Sequence, residues 1–302
     1  MIQTSIVIPS YRRPEDLERA IGSVLAQEGV DTAYEVLVVD NDADRSAQPV
    51  AERMAARSPV PIRYVCEPRA GISHARNTGV AHAAGRYLAF LDDDEVVEPR
   101  WLAHFLDALR RFGADAVVGP VLPQFPEGAA EIDAFRRRMY TRDARVPTGT
   151  PLLLWNIGNS IFDRARCFVT AEPFLPRLAR TGGEDTVFLR QLTGRGCKMV
   201  WCGEAVAWES VPEDRLEPGY LLRRAFRGAQ TTTFVYTMVK PRELGRALRL
   251  MAVGCAQLAL YGPVALALKA VNHARWLPVM AKAAGGLGKL FWHPSLHLRM
   301  YR

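Results

Sequence analysis

The 302 residues are 49% hydrophobic and 24% charged, which suits one large or two fused domains with a buried core. Five cysteines (Cys66, Cys167, Cys197, Cys202 and Cys255) include no CxxC pair, which argues against a disulfide framework or zinc knuckle and for a reducing compartment. The net charge of +7 is uneven: residues 219–302 hold 13 of the 39 Lys and Arg but one of the 32 acidic residues, so this region calls for an anionic partner.

Met1 leads directly into the apolar run Ser5–Pro9, without a basic n-region or cleavage site; no signal peptide and a cytoplasmic start are expected. Short β-branched runs at Thr4–Pro9, Tyr34–Asp40, Ile62–Cys66 and Arg86–Leu91 are followed by helical spacing at Glu15–Gln27, Ser46–Arg57, Ile72–Ala84 and Arg100–Phe112. Pro14, Pro68 with Gly71, and Pro99 stand at the strand-to-helix turns. The alternation predicts a parallel α/β sheet. Ligands of such sheets gather outside the carboxyl ends of the strands, here Pro9–Arg12, Asp40–Asp42, Glu67–Gly71 and Asp92–Glu95.

After Val121 the rhythm breaks, and the Pro-rich, charged stretch 122–153 reads as an excursion or binding loop. Trp155–Phe162 reads as a strand, Asp185–Gly194 as a helix, and Lys198–Trp208 as one or two short strands. From Gly219 the pattern is helical, with a new helix expected at Pro241 and no charge over the 19 positions Leu250–Leu268.

Three clusters carry chemistry. Asp92-Asp93-Asp94-Glu95 ends a very apolar strand. Four adjacent carboxylates repel one another, so a divalent cation, Mg²⁺ or Mn²⁺, held together with substrate phosphates is expected among them; a solvated helix-capping turn is the plainer alternative. Gly182-Gly183-Glu184-Asp185 offers a carboxylate base beside that cluster, or simply an acidic helix start. Arg223 and Arg227 share a helix face with Arg224 beside them, suited to phosphate oxygens or to a solvated or lipid-facing basic surface. Pro9-Ser10-Tyr11-Arg12-Arg13 stands where a dinucleotide fold has GxGxxG, which argues against an NAD or FAD enzyme and also against a Walker A loop.

In this order, Ile6–Arg13, Val38–Asn41, Gly71–Gly79, Phe90–Asp94 and Glu184-Asp185 resemble glycosyltransferase family 2, the inverting group with the GT-A fold. Gly183–Thr186 followed by Arg223–Gly228 is similar to the succinoglycan-type exopolysaccharide glucosyltransferases. The resemblance covers about residues 4–230. It implies a GT-A α/β fold, a mostly parallel central sheet flanked by helices; the charge and apolar runs of the C-terminal part add a helical membrane-associated extension. It implies a catalytic domain over 1–218, with a nucleotide-binding half (1–120) and an acceptor half (121–218), then the basic helical region 219–302.

The roles it implies are specific. Pro9, Tyr11 and Arg12 line the nucleotide pocket, Asp40 meets the base, and Arg76 approaches the donor. Asp92 and Asp94 form the DxD pair, with Asp94 the more direct metal ligand and Asp93 beside the donor. Asn156 and Asn159 belong to the sugar site in Trp155–Ser160, the arginines at 223, 224 and 227 to the donor phosphates, and Glu184 and Asp185 to catalysis, with Asp185 the base. The implied reaction is inverting transfer of a single sugar, a hexose, from a UDP-sugar to a hydroxyl of a saccharide or polyprenyl-linked acceptor. The absence of QxxRW argues against a processive synthase. A non-catalytic nucleotide-sugar scaffold or sensor is the alternative.

As a helix, Leu250–Leu268 would extend about 28 Å. With its flanking Lys and Arg, Trp276, Phe291 and Trp292 it is expected to lie in or on a membrane, to span it, or to pack on the domain. Peripheral contact through residues 242–292 at the inner face of the cytoplasmic membrane is the working expectation. Nucleic acid is not expected, because the basic residues stand among apolar runs.

Overall fold

A computed structural model of the chain describes residues 2–126, 133–153, 156–179, 181–238, 243–293 and 296. The first strands form as the apolar runs require: β1 (Thr4–Ser10) is buried along its whole length, as a strand covered on both faces must be. The chain continues through α1 (Pro14–Leu25), β2 (Tyr34–Asp40), α2 (Gln48–Ala55), β3 (Ile62–Cys66), α3 (Ile72–His82), β4 (Tyr87–Leu91), β5 (Glu95–Val97) and α4 (Trp101–Phe112). Pro14 opens α1, where its missing N–H costs nothing. Gly113, in the left-handed conformation, closes α4.

The second part adds β6 (Ala116–Val118), β7 (Val121–Gln124), α5 (Ala134–Tyr140), β8 (Asn159–Asp163), α6 (Arg164–Cys167), α7 (Glu184–Gly194), β9 (Met199–Trp201) and β10 (Ala207–Ser210). The main sheet has the order β3-β2-β1-β4-β8-β6-β9; all its pairings are parallel except those of β8 with β4 and β6. One of its faces packs α1 and α4 through Leu17, Trp101 and Phe105. The other packs Phe90, Phe162, Phe174 and Phe188 edge to face and tilted beneath α3 and α7.

The stretch 122–153 holds more order than its composition suggests. β7 joins a three-stranded sheet, β5-β10-β7, with Pro123 tolerated because β7 is an edge strand. Beyond it lie α8 (Pro218–Met238), α9 (Leu244–Ala270), which runs through Pro263, and α10 (Trp276–Leu290). Pro241 and Trp155 lie outside the described residues.

α8 is pinned twice. Leu221 is buried with Tyr140, Val211 and Leu277, and Phe234 and Val235 are buried with Leu178 and Val187 of the catalytic body. Each such side chain contributes roughly 2 kcal/mol of apolar burial. α10 lies between α8 and α9 at close range: a Cβ on Gly288 would collide with the Phe226 carbonyl, and one on Gly286 would lie 2.7 Å from the Gly254 carbonyl. The outer side of α9 is open, with Leu248, Leu260 and Leu266 more than 60% exposed (65%, 61% and 62%). Domain packing, one of the three expectations for Leu250–Leu268, therefore accounts for only one side of this helix.

Candidate active site

The acidic run follows β4, where the chain turns from the main sheet into β5. Asp93 is buried and turned inward: its Oδ2 accepts from the Ser10 hydroxyl at 2.9 Å and the Tyr11 N–H at 3.3 Å, and its Oδ1 from Arg13 at 3.1 Å. Burial, then the neighbouring Asp94, push its carboxyl up to about 7 against the pull of Arg13. Asp94 Oδ2 accepts from Arg13 at 2.8 Å and Arg215 at 3.4 Å. Burial works against the Arg13 charge, but Asp93 and Asp94 outweigh it and raise the arginine's pKa.

Asp92 Oδ1 accepts from Arg76 Nη2 at 3.4 Å, and the other arm of Arg76, Nη1, donates to Glu184 Oε1 at 2.7 Å. One guanidinium thereby joins the DxD run to the start of α7. Burial, then Asp185, hold the Glu184 carboxyl up at about 7 in spite of Arg76. α7 can begin here because Gly183 adopts φ 92, a conformation that L side chains rarely take, and a Cβ on it would meet Thr231 of α8 at 2.7 Å. Asp185 is half-buried and faces the cavity, with Oδ1 accepting from the Thr186 N–H and hydroxyl.

Behind the run, Arg142 bridges Glu95 Oε1 at 2.9 Å and Glu209 Oε2 at 3.0 Å. Burial, then Asp92, hold the Glu95 carboxyl well above its usual range. Glu95 and Glu209 belong to β5 and β10, so the buried pair fastens the acidic run to the small sheet.

Glu95 apart, these groups face one cavity of about 1080 Å³, lined on one side by α8. Among the residues expected in the site, Pro9, Tyr11, Arg76, Asp92, Asp93, Asp94, Asn156, Glu184, Asp185, Arg223, Arg224 and Arg227 line it. Three others are placed elsewhere. Arg12 sits at φ 55 and pairs with Asp42 and Asp44 at 3.1 and 3.0 Å, while Arg13 takes the inward position. Asp40 is fully buried, and its carboxylate accepts from the Asp42 and Ala47 N–H groups and the Tyr64 hydroxyl, so it builds the loop after β2. Asn159 is also fully buried, accepting from Trp101 Nε1 at 2.6 Å and donating to the carbonyls of Pro120 and Ala205, each at 2.8 Å.

Arg13, Arg142, Glu209 and Arg215 line the cavity without having been singled out. Arg13 ends the Ile6–Arg13 segment read from the sequence, where the donor role fell to Arg12 instead. Arg142, Glu209 and Arg215 stand in stretches with no motif, and the bridge of Arg142 to Val121 together with the pairing of β7 with β10 brings the first two together.

The sequence model of glycosyl transferase family 2 matches residues 5–162, just over half of the chain. The chain belongs to glycosyltransferase family 2. Among curated relatives, this family 2 glycosyltransferase is 34% identical over 235 residues to the succinoglycan biosynthesis protein ExoM of Rhizobium meliloti (strain 1021), covering 76% of this chain and 74% of that one. It is 36% identical over 121 residues to ExoW of the same organism, covering 38% of this chain and 35% of that one. Among solved structures it is similar to S. aureus TarS in complex with UDP, with a TM-score of 0.55 and 14% identity over 95% of this chain and 89% of that one. A TarS complex with UDP-GlcNAc gives a TM-score of 0.53 at 13% identity, covering 95% of this chain and 90% of that one. These likenesses establish the GT-A-like fold of the glycosyltransferase and its kinship with exopolysaccharide enzymes.

Among the described residues, no three carboxylate, imidazole or thiolate side chains converge into a ready metal cage. Of the four-carboxylate run, Asp92 and Asp94 offer oxygen donors to the cavity, while Asp93 is bonded inward to Ser10 and Tyr11. That set fits a hard cation such as Mg²⁺ or Mn²⁺, which keeps part of its shell for water and phosphate.

Proposed function

We propose that this glycosyltransferase moves a single hexose from a UDP-sugar, with inversion, to a hydroxyl of a saccharide or lipid-linked acceptor in exopolysaccharide or cell-surface glycan synthesis. The observation that carries the reading is the meeting, in one cavity, of the Asp92–Asp94 run, the Glu184-Asp185 pair and the arginines of α8. Asp185 takes the proton of the acceptor hydroxyl, which is a poor nucleophile without a positioned base. Glu184 is committed to Arg76 and so fixes that arginine beside Asp92. Pro9 and Tyr11 bound the nucleotide end, Asn156 the sugar end, and the cavity's guanidinium groups meet developing phosphate charge.

Asp92 and Asp94 would hold the divalent cation. When bound it would neutralise the charge of the leaving nucleotide diphosphate. Arg13 and Arg215 hold Asp94 in its present position.

The reading also places the enzyme at the inner face of the cytoplasmic membrane. It is supported by the exposed apolar side of α9 and the basic residues Arg246, Arg249, Lys269 and Arg275 around it. α9 is long and apolar enough to cross a membrane by length and composition, with mean hydropathy 1.7 over an 18-residue stretch.

The test is a nucleotide-sugar screen with the purified protein in Mn²⁺, Mg²⁺ or EDTA. Slow release of UDP from one donor, dependent on metal and lost in Asp94→Ala, is the expected result. Failure of every nucleotide sugar to bind with any metal would overturn the reading.

A further inference from the structure

α7 and α8 meet at successive turns beside the cavity. A Cβ on Gly183 would touch the Thr231 methyl, Val187 is buried with Phe234 and Val235, and Arg190 lies over the ring of Tyr236, its Cζ 4.5 Å from the centroid. Steps of four and three residues keep these contacts on one face of α7. The first two are apolar, and apolar contacts have no preferred direction. The third is polar: Arg190 Nη2 also donates to Glu243 Oε1, at the start of α9.

Both partners are committed to this contact. Glu243 is the one acidic residue of 219–302. It stands at the N-cap of α9, where a carboxylate can bond the free N–H groups of the helix, yet its side chain makes no such bond. The carboxylate goes instead to Arg190 and, at 2.8 Å, to Arg246, while the Glu243 N–H donates to the Tyr236 carbonyl at 3.0 Å. The Arg190 side chain is only 15% exposed, and its Nε is buried without a hydrogen bond among the described residues. An enclosed guanidinium carries a desolvation cost that an apolar side chain would avoid, and the best-attested use of such a pair is to fix register.

We propose that Arg190 is a positioning residue of the transferase: held between Glu243 and Tyr236, it sets the register of α7 against α8 and the start of α9, and with it the place of Asp185. The proposal rests on the reading of Asp185 as the base. Arg76 fastens the first turn of α7 through Glu184, Arg190 fastens its second half, and Asp185 lies between the two. Arg190 acts through the helix, because its guanidinium is taken by Glu243 and Tyr236. A shift of about 1 Å at a reacting group can cost about 10²-fold in rate, so a small slip of α7 is enough.

The experiment follows the full-length protein by two readouts: release of UDP from UDP-glucose in Mn²⁺, and hydrogen exchange of the α7 amides. Arg190→Met and Glu243→Ala should each lower kcat at least tenfold, leave UDP affinity within threefold and speed exchange in α7. Glu243→Ala does this without uncapping α9, since the side chain makes no cap bond. Both changes remove the same interaction, so the double variant should be no slower than the slower single one. Arg190→Lys keeps a cation between Glu243 and Tyr236 and should retain at least a third of the wild-type rate with normal exchange. Where Arg190→Met is unfolded at the assay temperature, Glu243→Ala and the milder Glu243→Gln carry the test, with Gln falling between Ala and wild type.

Unchanged kcat in the folded single variants, or single effects that multiply in the double variant, would overturn the proposal. A loss of UDP affinity in step with kcat would overturn it by giving Arg190 to the donor, and slower turnover with unchanged α7 exchange would overturn it by giving Arg190 to the reacting groups. Full activity of Asp185→Asn would strike the base assignment instead. With UDP-glucose inert in wild type the donor reading is at fault, and the exchange of α7 in the same variants still decides whether Arg190 and Glu243 hold the helix.

Discussion

Arg76 of α3 and Glu184 at the start of α7 form a buried ion pair, Nη1 to Oε1 at 2.7 Å, across 108 residues of sequence. The same arginine reaches Asp92, so the pair fixes the distance between the acidic run and the proposed base. Removing one partner of a buried pair leaves the other without compensation, which typically costs 3–5 kcal/mol. Glu184 offsets part of that, because a carboxyl already held at about 7 can take up a proton. Arg76→Met should therefore lose roughly 2–4 kcal/mol in urea denaturation, and Glu184→Gln, which still accepts from Arg76, about 1 kcal/mol.

Asp185 is the better placed of the two α7 carboxylates for proton transfer, since Glu184 is bonded to Arg76 and Asp185 faces the cavity. Asp185→Asn keeps shape and removes basicity. Transfer to acceptor should fall by about 10²–10⁴ in kcat, the usual contribution of a positioned base, with UDP affinity retained. A fall in UDP affinity of the same size would assign Asp185 to donor binding.

Gly158 passes so close to the acidic run that a Cβ would lie 2.5 Å from Asp92 Oδ2 and 3.2 Å from Glu95 Oε1. Gly158→Ala should displace Asp92 at a cost of about 1–3 kcal/mol, the range for overpacking. At least a tenfold fall in kcat/KM is expected at a temperature where the variant remains folded. Unchanged kinetics would show that the position of Asp92 does not matter to turnover.

Asn159 makes three buried hydrogen bonds, to Trp101, Pro120 and Ala205. Asn159→Ala leaves these groups unsatisfied and should cost about 3 kcal/mol at roughly 1 kcal/mol each. UDP affinity of the folded fraction should be unaffected. The measurement separates a structural asparagine from the donor-binding one that the motif implies.

Glu67 accepts from Arg69 at 2.9 and 2.8 Å and from the Thr78 hydroxyl at 2.6 Å, and Arg69, more than burial opposes, lowers its carboxyl from 4.5 to about 2. The folded value lies below the unfolded one, so the folded state binds fewer protons. The stabilisation is complete above pH 4.5 and is lost as pH falls towards about 2. Arg69 is largely exposed and solvent screens the pair, so the loss should be on the order of 1–2 kcal/mol. Glu67→Gln should flatten the stability profile over this window.

The sequence alone determined the first strands and helices of the main sheet, because strands buried on both faces must be continuous apolar runs and helices must begin at residues such as Pro14. It also placed the acidic run at a strand end and the two carboxylates at a helix start, since both signals are local. What it did not determine was direction and partnership. Arg12 and Arg13 are chemically identical neighbours, and only the backbone at φ 55 decides which one turns to Asp93 and Asp94. Asp40 and Asn159 carry the right groups for ligands, but the tertiary structure uses them to satisfy buried N–H and carbonyl groups. Arg142 and Glu209 meet because Arg142 bridges to Val121 at the start of β7 and β7 pairs with β10; such a contact depends on sheet pairing across many residues, and no local pattern encodes it.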